Sequence, residues 1–227
     1  MNRKMKLLAL GIIVLIALLG FETYTLQIGA DHSQTSPIRV ACLGDSLTCG
    51  TAYPVDLWLM LGSNYVVGNF GINGATVFLK SDNPYMTTPA YHVAKRFNPQ
   101  IVIIMLGTND ANPALNESNA VFISDYVQLV SAFQGLSSKP KVWIAEPPPI
   151  FNNTAGLSGQ YFVQNIIPDI AQVANETGAS LIDVYNPMLS HSAYFPDGVH
   201  PDSDGSLAVA RVIYDALILK TAPTAAP

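Results

Sequence analysis

Three residues in this sequence are of the types that nucleophilic catalysis on a carbonyl needs. Ser46 lies in the segment CLGDSLTCG, while Asp197 and His200 lie together in FPDGVHP. A serine hydroxyl is a poor nucleophile unless a base takes its proton and an acid orients that base. The short Asp197 to His200 spacing allows a tight loop to bring the carboxylate against the imidazole. This pattern favours Ser46 as a nucleophile with His200 as its base.

Such chemistry also needs donors for the oxyanion, and two further motifs can supply them. The candidates are the backbone N–H of Gly74 in GINGAT, the side-chain amide of Asn109 in GTND, and the N–H of Ser46. Each has a plainer interpretation: Ser46 as an N-cap or first-turn residue of a helix, and Asn109 and Gly74 as turn residues. Gly71 is interpreted as a turn glycine. The G-x-S-x-G motif is absent, because Thr48 replaces its second glycine.

The chain that must position these residues alternates short apolar runs with longer helical patterns. The runs predict strands at 38–43, 65–70, 101–106, 141–145 and 180–184, and helices are expected around 55–61, 89–97, 118–135, 160–177 and 203–219. This alternation predicts a parallel sheet covered on both faces. The third run is apolar throughout, which is typical of a central strand.

The candidate residues follow these strands at their carboxyl ends. GDSLT follows the first strand, GINGAT the second, GTND the third and EPPP the fourth, and DGVH precedes the last helix. Ligands of parallel sheets bind outside the carboxyl ends of the strands. The motifs are therefore expected to meet at one edge of the sheet.

Taken in order, GDSLT, NFGINGAT, GTND and DGVH resemble the four sequence blocks of the SGNH (GDSL) hydrolase family. The resemblance implies a flavodoxin-like three-layer α/β/α sandwich with a five-stranded parallel sheet, and a serine esterase or acylhydrolase activity. It makes Ser46 the nucleophile and Asp197 and His200 its acid and base partners. It also assigns the oxyanion donors to Ser46, Gly74 and Asn109. Asn73 departs from the family pattern, in which serine is frequent at this position.

The first thirty residues differ in composition from the rest. Basic residues precede the uncharged run Leu7–Phe21, which spans about 22 Å as a helix and is short for a hydrocarbon core of about 30 Å. We expect 1–30 to be a signal peptide, or otherwise an uncleaved N-terminal anchor, and the protein to be secreted, periplasmic or anchored outside the cytoplasm. A linker at 31–37, a hydrolase domain at 38–219 and a flexible tail at 220–227 complete the predicted organisation.

Charge and composition exclude several classes of partner. The net charge is −5 and no Lys/Arg cluster is present, which argues against binding to nucleic acid or to an anionic membrane surface. A membrane contact is expected only if the N-terminal segment stays attached. No His/Cys/Glu ligand set is apparent, so no metal or other cofactor is expected. Cys42 and Cys49 are expected to be unpaired, because a strand end and the following turn separate their side chains.

The loops near the predicted site bear on the substrate. FLKSDNPYMTTPAY and PPPIFNNTAGLSGQY mix polar and aromatic residues, which favours a carbohydrate with a small acyl group over a long lipid chain. Segments such as KPKVWIAEPPP and FPDGVHP are similar to bacterial carbohydrate (sialate-type) O-acetylesterases. The alternatives are a lysophospholipase or thioesterase-like acylhydrolase, and a non-catalytic glycan-binding protein. An apolar slot for a longer chain would have to use Phe78, Tyr85, Tyr91, Ile150, Phe151 and Tyr161.

Overall fold

The computed structural model describes residues 36–221, and five strands in this part of the chain form one parallel sheet. The strands are β1 Ile38–Gly44, β2 Tyr65–Gly71, β3 Ile101–Met105, β4 Lys141–Glu146 and β5 Ser180–Asp183. Their order in the sheet is β2-β1-β3-β4-β5, with every neighbouring pair parallel. The predicted five-stranded parallel sheet is confirmed, with the apolar third strand at its centre.

Helices follow the strands in chain order and agree with the predicted pattern. They are α1 Ser46–Cys49, α2 Tyr53–Leu61, α3 Pro89–Phe97, α4 Asn119–Gln134, α5 Gly159–Tyr161, α6 Ile167–Thr177, α7 Tyr185–Met188 and α8 Ser203–Thr221. One turn of π-helix, Phe162–Ile166, joins α5 to α6. Pro168 follows this turn; because a proline ring clashes with the carbonyl four residues earlier, it accounts for the widened turn.

Alternate residues of the central strands enter two separate cores. In β1, Ala41 and Leu43 belong to a core that contains residues of α3, α4 and α6, whereas Val40 and Cys42 belong to one that contains residues of α2 and α8. β3 and β4 divide in the same way. Because successive side chains of a strand point to opposite faces, the sheet is covered on both sides. The three-layer α/β/α architecture is thereby confirmed.

The remaining parts of the predicted domain organisation lie mainly outside the described residues. These are the N-terminal segment 1–30, nearly all of the linker, and residues 222–227 of the tail. The last helix reaches Thr221, two residues beyond its predicted end at Leu219. Between residues 36 and 221, no helix has both the length and the apolar character needed to cross a membrane.

Candidate active site

Ser46 is the first residue of α1, just beyond the carboxyl end of β1. The preceding residue, Asp45, is the N-cap, and its Oδ1 accepts a hydrogen bond of 2.8 Å from the Leu47 N–H. Capping satisfies one of the N–H groups that lack a partner at the start of a helix. Ser46 is thus a first-turn residue, but its hydroxyl does not cap the helix.

The Ser46 hydroxyl instead meets His200, which is 154 residues away in the chain. Its Oγ lies 2.8 Å from His200 Nε2, and His200 Nδ1 lies 2.7 Å from Asp197 Oδ2. The other carboxylate oxygen of Asp197 accepts bonds from the backbone N–H groups of Val199 and His200, at 2.9 and 2.7 Å. The three residues expected to cooperate therefore form one continuous chain of hydrogen bonds.

The tight loop that holds this pair depends on Gly198. Its φ of +83° is a conformation that residues with a side chain rarely adopt. A Cβ at this position would also come within 2.1 Å of the Asn152 carbonyl oxygen. The Gly198 carbonyl oxygen accepts a hydrogen bond of 2.8 Å from the Phe151 N–H. The His200 loop is thus fixed against the loop that follows β4.

The environment of Asp197 keeps its carboxylate charged. Partial burial acts to raise its pKa, but the hydrogen bonds from the backbone and ring of His200, with that from the Val199 N–H, outweigh it and lower the pKa to about 2. With the ionised carboxylate accepting Nδ1–H, the neutral ring has its lone pair at Nε2. The Ser46 O–H can then donate to Nε2, which is the direction of proton transfer that activates a serine.

The backbone N–H groups of Ser46 and Gly74 remain available to donate to an oxyanion. Within the described residues, neither the N–H of Ser46 nor that of Gly74 donates to any protein group. Gly74 has φ +70°, and this left-handed conformation is one that glycine adopts without strain. Both residues line the same cavity as His200. Gly71, interpreted from sequence as a turn glycine, is instead the last residue of β2.

Asn109, the third predicted donor, starts a 3₁₀ turn after β3 and also lines this cavity. Its Nδ2 donates to the Ala75 carbonyl at 3.0 Å and to Asp45 Oδ2 at 3.2 Å. An amide nitrogen has two hydrogens, so both are engaged by the protein itself. To donate to an oxyanion, Asn109 must share or release one of these bonds, and the 3.2 Å bond to Asp45 is the longer of the two.

Sequence reasoning gave no role to two buried aspartates beneath the site, Asp45 and Asp110. Asp110 Oδ1 accepts 3.0 Å bonds from the Val77 and Phe78 N–H groups, which ties the loop after β2 to the end of β3. Burial raises the pKa of each carboxyl to about 7, and for Asp45 the nearby Asp110 charge adds to the effect. The available sequence signal was an acidic residue directly after an apolar strand, next to a candidate catalytic side chain.

A cavity of about 550 Å³ opens above these groups, and the nature of its lining changes from one side to the other. The loop after β2 contributes polar residues, the loop after β3 contributes Asn109, Asn112 and Leu115, and the loop after β4 contributes the aliphatic residues Ala155 and Leu157. The sheet order puts these loops on opposite sides of Ser46, since β1 lies between β2 and β3. The lining consists of Ser46, Asn73, Gly74, Thr76, Ser81, Asp82, Asn83, Asn109, Asn112, Leu115, Ala155, Leu157, Val199 and His200.

None of the six aromatic and aliphatic residues proposed for a longer apolar slot lines this cavity. Phe78, Tyr85 and Tyr91 are buried in the core. Phe78 and Tyr161 instead line a smaller neighbouring cavity of about 170 Å³, which shares Asn112 and Leu115 with the first. The apolar part of the cavity next to Ser46 is therefore formed by aliphatic side chains rather than by aromatic rings.

Both cysteines are free, as the sequence predicted. Cys42 is buried in β1, and burial raises the pKa of its thiol to about 12. Cys49 donates from Sγ to Asn73 Oδ1 at 2.9 Å. In the part of the chain that the structure describes, no group of three or more His, Cys, Asp or Glu side chains could hold a metal ion.

The three-layer α/β/α fold and this arrangement of serine, histidine and aspartate are typical of serine hydrolases. Residues 42–208 match the model of the GDSL-like lipase/acylhydrolase family, and the chain belongs to that family. A relative described as an acetylxylan esterase, from Xylanibacter ruminicola, is 31% identical over 206 residues. The match covers 79% of this chain and 43% of the relative, so the chain spans less than half of that protein's length. At the level of reaction class, the matched residues form a carboxylic ester hydrolase domain.

Solved structures of other proteins share this fold. A carbohydrate acetylesterase family member from Sinorhizobium meliloti has a TM-score of 0.61 and 22% identity, with coverage of 80% of this chain and 98% of the other. The M. smegmatis aryl esterase has a TM-score of 0.62 and 19% identity, with coverage of 79% and 98%. At these identities the likeness concerns the fold, and it confirms the SGNH-type architecture.

Proposed function

We propose that this protein removes acetyl groups from carbohydrates outside the cytoplasm, through an acyl-enzyme on Ser46. The observation that carries the proposal is the unbroken hydrogen-bond chain from Ser46 Oγ through His200 to Asp197, which opens into a cavity with one polar side. A non-catalytic glycan-binding protein would need neither a nucleophile nor a base aligned in this way.

In the proposed mechanism, His200 takes the Ser46 proton as Oγ attacks the ester carbonyl. The N–H groups of Ser46 and Gly74 stabilise the oxyanion, with Asn109 as the third donor. His200 then protonates the leaving alcohol, and an acyl-enzyme remains. A water molecule then attacks the acyl carbon as it gives a proton to His200, and the acid is released as His200 returns that proton to Ser46 Oγ. The ionised Asp197 balances the positive charge of the imidazolium in both halves of the reaction.

The preference for acetyl rests on the size of the aliphatic part of the lining. Each buried CH₂ of an acyl chain is stabilised by about 0.8 kcal/mol, but only where a continuous apolar surface receives it. Leu115, Ala155 and Leu157 offer short side chains, and the six larger residues that could have extended this surface do not reach the cavity. The relative from Xylanibacter ruminicola is described as an acetylxylan esterase, and acetyl esters of a carbohydrate are consistent with this preference.

A series of p-nitrophenyl esters tests the acyl part of the proposal. We expect kcat/KM to be highest for acetate, lower for butyrate and very low for octanoate, together with acetate release from O-acetylated sugars. Ser46→Ala is the matched control for each ester. A maximum at octanoate would favour the lysophospholipase or thioesterase alternative. A wild-type rate no higher than that of Ser46→Ala and of the uncatalysed ester would favour the non-catalytic glycan-binding alternative.

The proposed location rests on the sequence pattern of residues 1–30 alone. A charge within an apolar segment of this length opposes its insertion into a membrane. Leu15→Arg is therefore expected to keep the protein in the cytoplasm, and cell fractionation in the native host would measure it. Unchanged export of the variant would remove the support for a signal peptide or anchor.

A further inference from the structure

The polar side of the cavity consists of residues from the loop that follows β2. Its conformation is fixed by backbone bonds from the Thr76 N–H to the Asn83 carbonyl, at 3.1 Å, and from the Tyr85 N–H to the Thr76 carbonyl, at 2.9 Å. The hydroxyls of Thr76 and Ser81 also share a hydrogen bond. The cavity therefore presents preorganised polar groups rather than a loop that must order around each substrate.

Two asparagines of this loop are oriented by protein contacts that use only half of each amide. Asn73 Oδ1 accepts from Cys49 Sγ at 2.9 Å, and Asn83 Nδ2 donates to the Asn73 carbonyl oxygen at 2.9 Å. Within the described residues, Asn73 Nδ2 and Asn83 Oδ1 have no protein partner. A donor and an acceptor that line one cavity match hydroxyl groups, which both donate and accept hydrogen bonds.

The charge of this side of the cavity is negative. Among the described residues that line the cavity, Asp82 is the only acidic one and none is Lys or Arg. Lys80, two residues away in the chain, is exposed and does not contribute to the lining. A carboxylate on the bound alcohol would thus meet Asp82 with no cation to pair with.

We propose that Asn73, Asp82 and Asn83 bind the alcohol part of the ester, and that this subsite selects an uncharged, hydroxyl-rich alcohol over an anionic one. The inference deepens the proposed function and rests on it for the identity of the alcohol as a sugar. The acyl group then occupies the opposite side of Ser46, where Leu115, Ala155 and Leu157 lie. Sialate esters, which carry a carboxylate, are disfavoured and neutral glycans are favoured.

A pair of substrates that differ at one carbon, where one compound is neutral and the other anionic, tests the selection. They are one monoacetylated methyl glycoside with either a CH₂OH group or a carboxylate at C6. We expect kcat/KM of wild type to favour the neutral compound about three- to tenfold, from the Coulomb energy of two solvated charges a few ångströms apart. Asp82→Asn should bring the ratio close to one, and high salt should narrow it in wild type.

Asp215→Asn is the matched control, because it removes the same charge from an exposed position on α8 outside the cavity. It should leave the wild-type ratio unchanged. If wild type hydrolyses both glycosides equally, or if Asp82→Asn keeps the wild-type ratio, the subsite does not select by charge and the inference is overturned.

A sugar-free pair of esters separates this inference from the proposed function. 3-Acetoxybenzoate and its methyl ester differ by one negative charge on the alcohol part. If neither glycoside is hydrolysed but the methyl ester is, the carbohydrate function fails. The selection by charge then stands if Asp82→Asn improves 3-acetoxybenzoate relative to its methyl ester, and it falls if that ratio is unchanged.

The amide half of the subsite has its own test in Cys49, which acts as a positioning residue for Asn73. Cys49→Ala removes the donor to Asn73 Oδ1, whereas Cys49→Ser keeps a hydroxyl donor there. We expect Cys49→Ala to raise KM for the neutral acetylated glycoside more than for p-nitrophenyl acetate, and Cys49→Ser to restore most of the difference. Equal KM changes for the two esters in Cys49→Ala would assign Asn73 no part in sugar binding.

Discussion

Aspartates occupy two contrasting regions of this site. Asp197, in the exposed loop before α8, has 55% of its side chain exposed and a pKa lowered to about 2. Asp45 and Asp110 lie buried under the cavity, where loss of solvent raises the pKa of each to about 7. The same side chain is thus ionised near neutral pH in one region and only partly ionised in the other, within one candidate active site.

The difference shows how a single residue type is divided between chemistry and support. Asp197 faces the His200 ring and two N–H groups, so its charge is available to orient the base and balance its protonation. Asp45 accepts from the Leu47 N–H and from Asn109 Nδ2, and thereby holds the side chain of Asn109, one of the proposed oxyanion donors. Variants of the hydrogen-bonded residues Ser46, His200 and Asp197 should lose activity with little loss of stability. Variants of the buried network around Asp45 and Asp110 should lose both activity and stability.

The largest expected effect is that of Ser46→Ala or His200→Ala. Each should lower kcat by roughly 10⁴–10⁶, because members of a triad act as a unit and their losses do not add. Both side chains are partly exposed, so the melting temperature should change little. Kinetics on p-nitrophenyl acetate and a thermal melt measure the two quantities. Wild-type turnover in folded Ser46→Ala would remove Ser46 from the nucleophile position.

Asp197→Ala should have the next largest effect, a loss of roughly 10²–10⁴ in kcat. Water can replace the carboxylate in part as a partner for His200 Nδ1, so the loss is smaller than for Ser46→Ala. The exposed Asp202 bonds the Gly205 N–H with its side chain in the same part of the chain, so Asp202→Ala is a suitable control for disturbance of the loop. A similar loss in both variants would show that Asp197 acts only on the loop conformation.

Asn109→Ala should lower kcat by roughly 10²–10³, the cost of one oxyanion donor. It should also lower the melting temperature, because buried Asp45 Oδ2 and the Ala75 carbonyl lose their donor. A loss of both kcat and melting temperature would distinguish Asn109→Ala from the variants of Ser46, His200 and Asp197. If the melting temperature falls while kcat stays at the wild-type value, Asn109 serves the buried network alone.

The smallest expected effect is the dependence of stability on pH. Between about pH 4 and 7 the folded protein keeps protons on Asp45 and Asp110 that the unfolded chain has lost, so stability falls as pH rises. Asp197 acts in the opposite sense, and its contribution is lost only below about pH 4.

Asp110→Asn sharpens this test, because Oδ1 of the amide can keep both bonds from the Val77 and Phe78 N–H groups. Melting temperatures measured from pH 5 to 8 should fall less steeply in the variant, which should be more stable than wild type at pH 8. Asp215→Asn, on the surface of α8, should keep the wild-type slope. A slope equal to that of wild type in Asp110→Asn would mean that this carboxyl is ionised throughout.

Sequence reasoning anticipated the sheet, the helices and the edge at which the motifs meet. Apolar strands and helical periodicity are local patterns. Four of the five motifs directly follow a strand whose direction is fixed by the parallel topology, and DGVH precedes the last helix. The residues Ser46, Asp197 and His200 could be paired in advance because their chemistry requires one another. The π-helical turn before α6 was not anticipated, although Pro168 provided a local signal for it.

The sequence by itself thus determined the class of fold and the residue types gathered at its carboxyl edge, since both depend on local patterns and strand order. Only the tertiary structure decided which side-chain donors are already bonded to protein groups and which can donate to a substrate. The partners of Asn109 Nδ2 are 64 and 34 residues away, and Cys49 meets Asn73 across 24 residues. Burial of Asp45 and Asp110 is likewise set by the packing of distant segments, and with it their protonation. A hydrogen bond or a buried charge depends on positions within a few tenths of an ångström, which are fixed only when separate elements pack together.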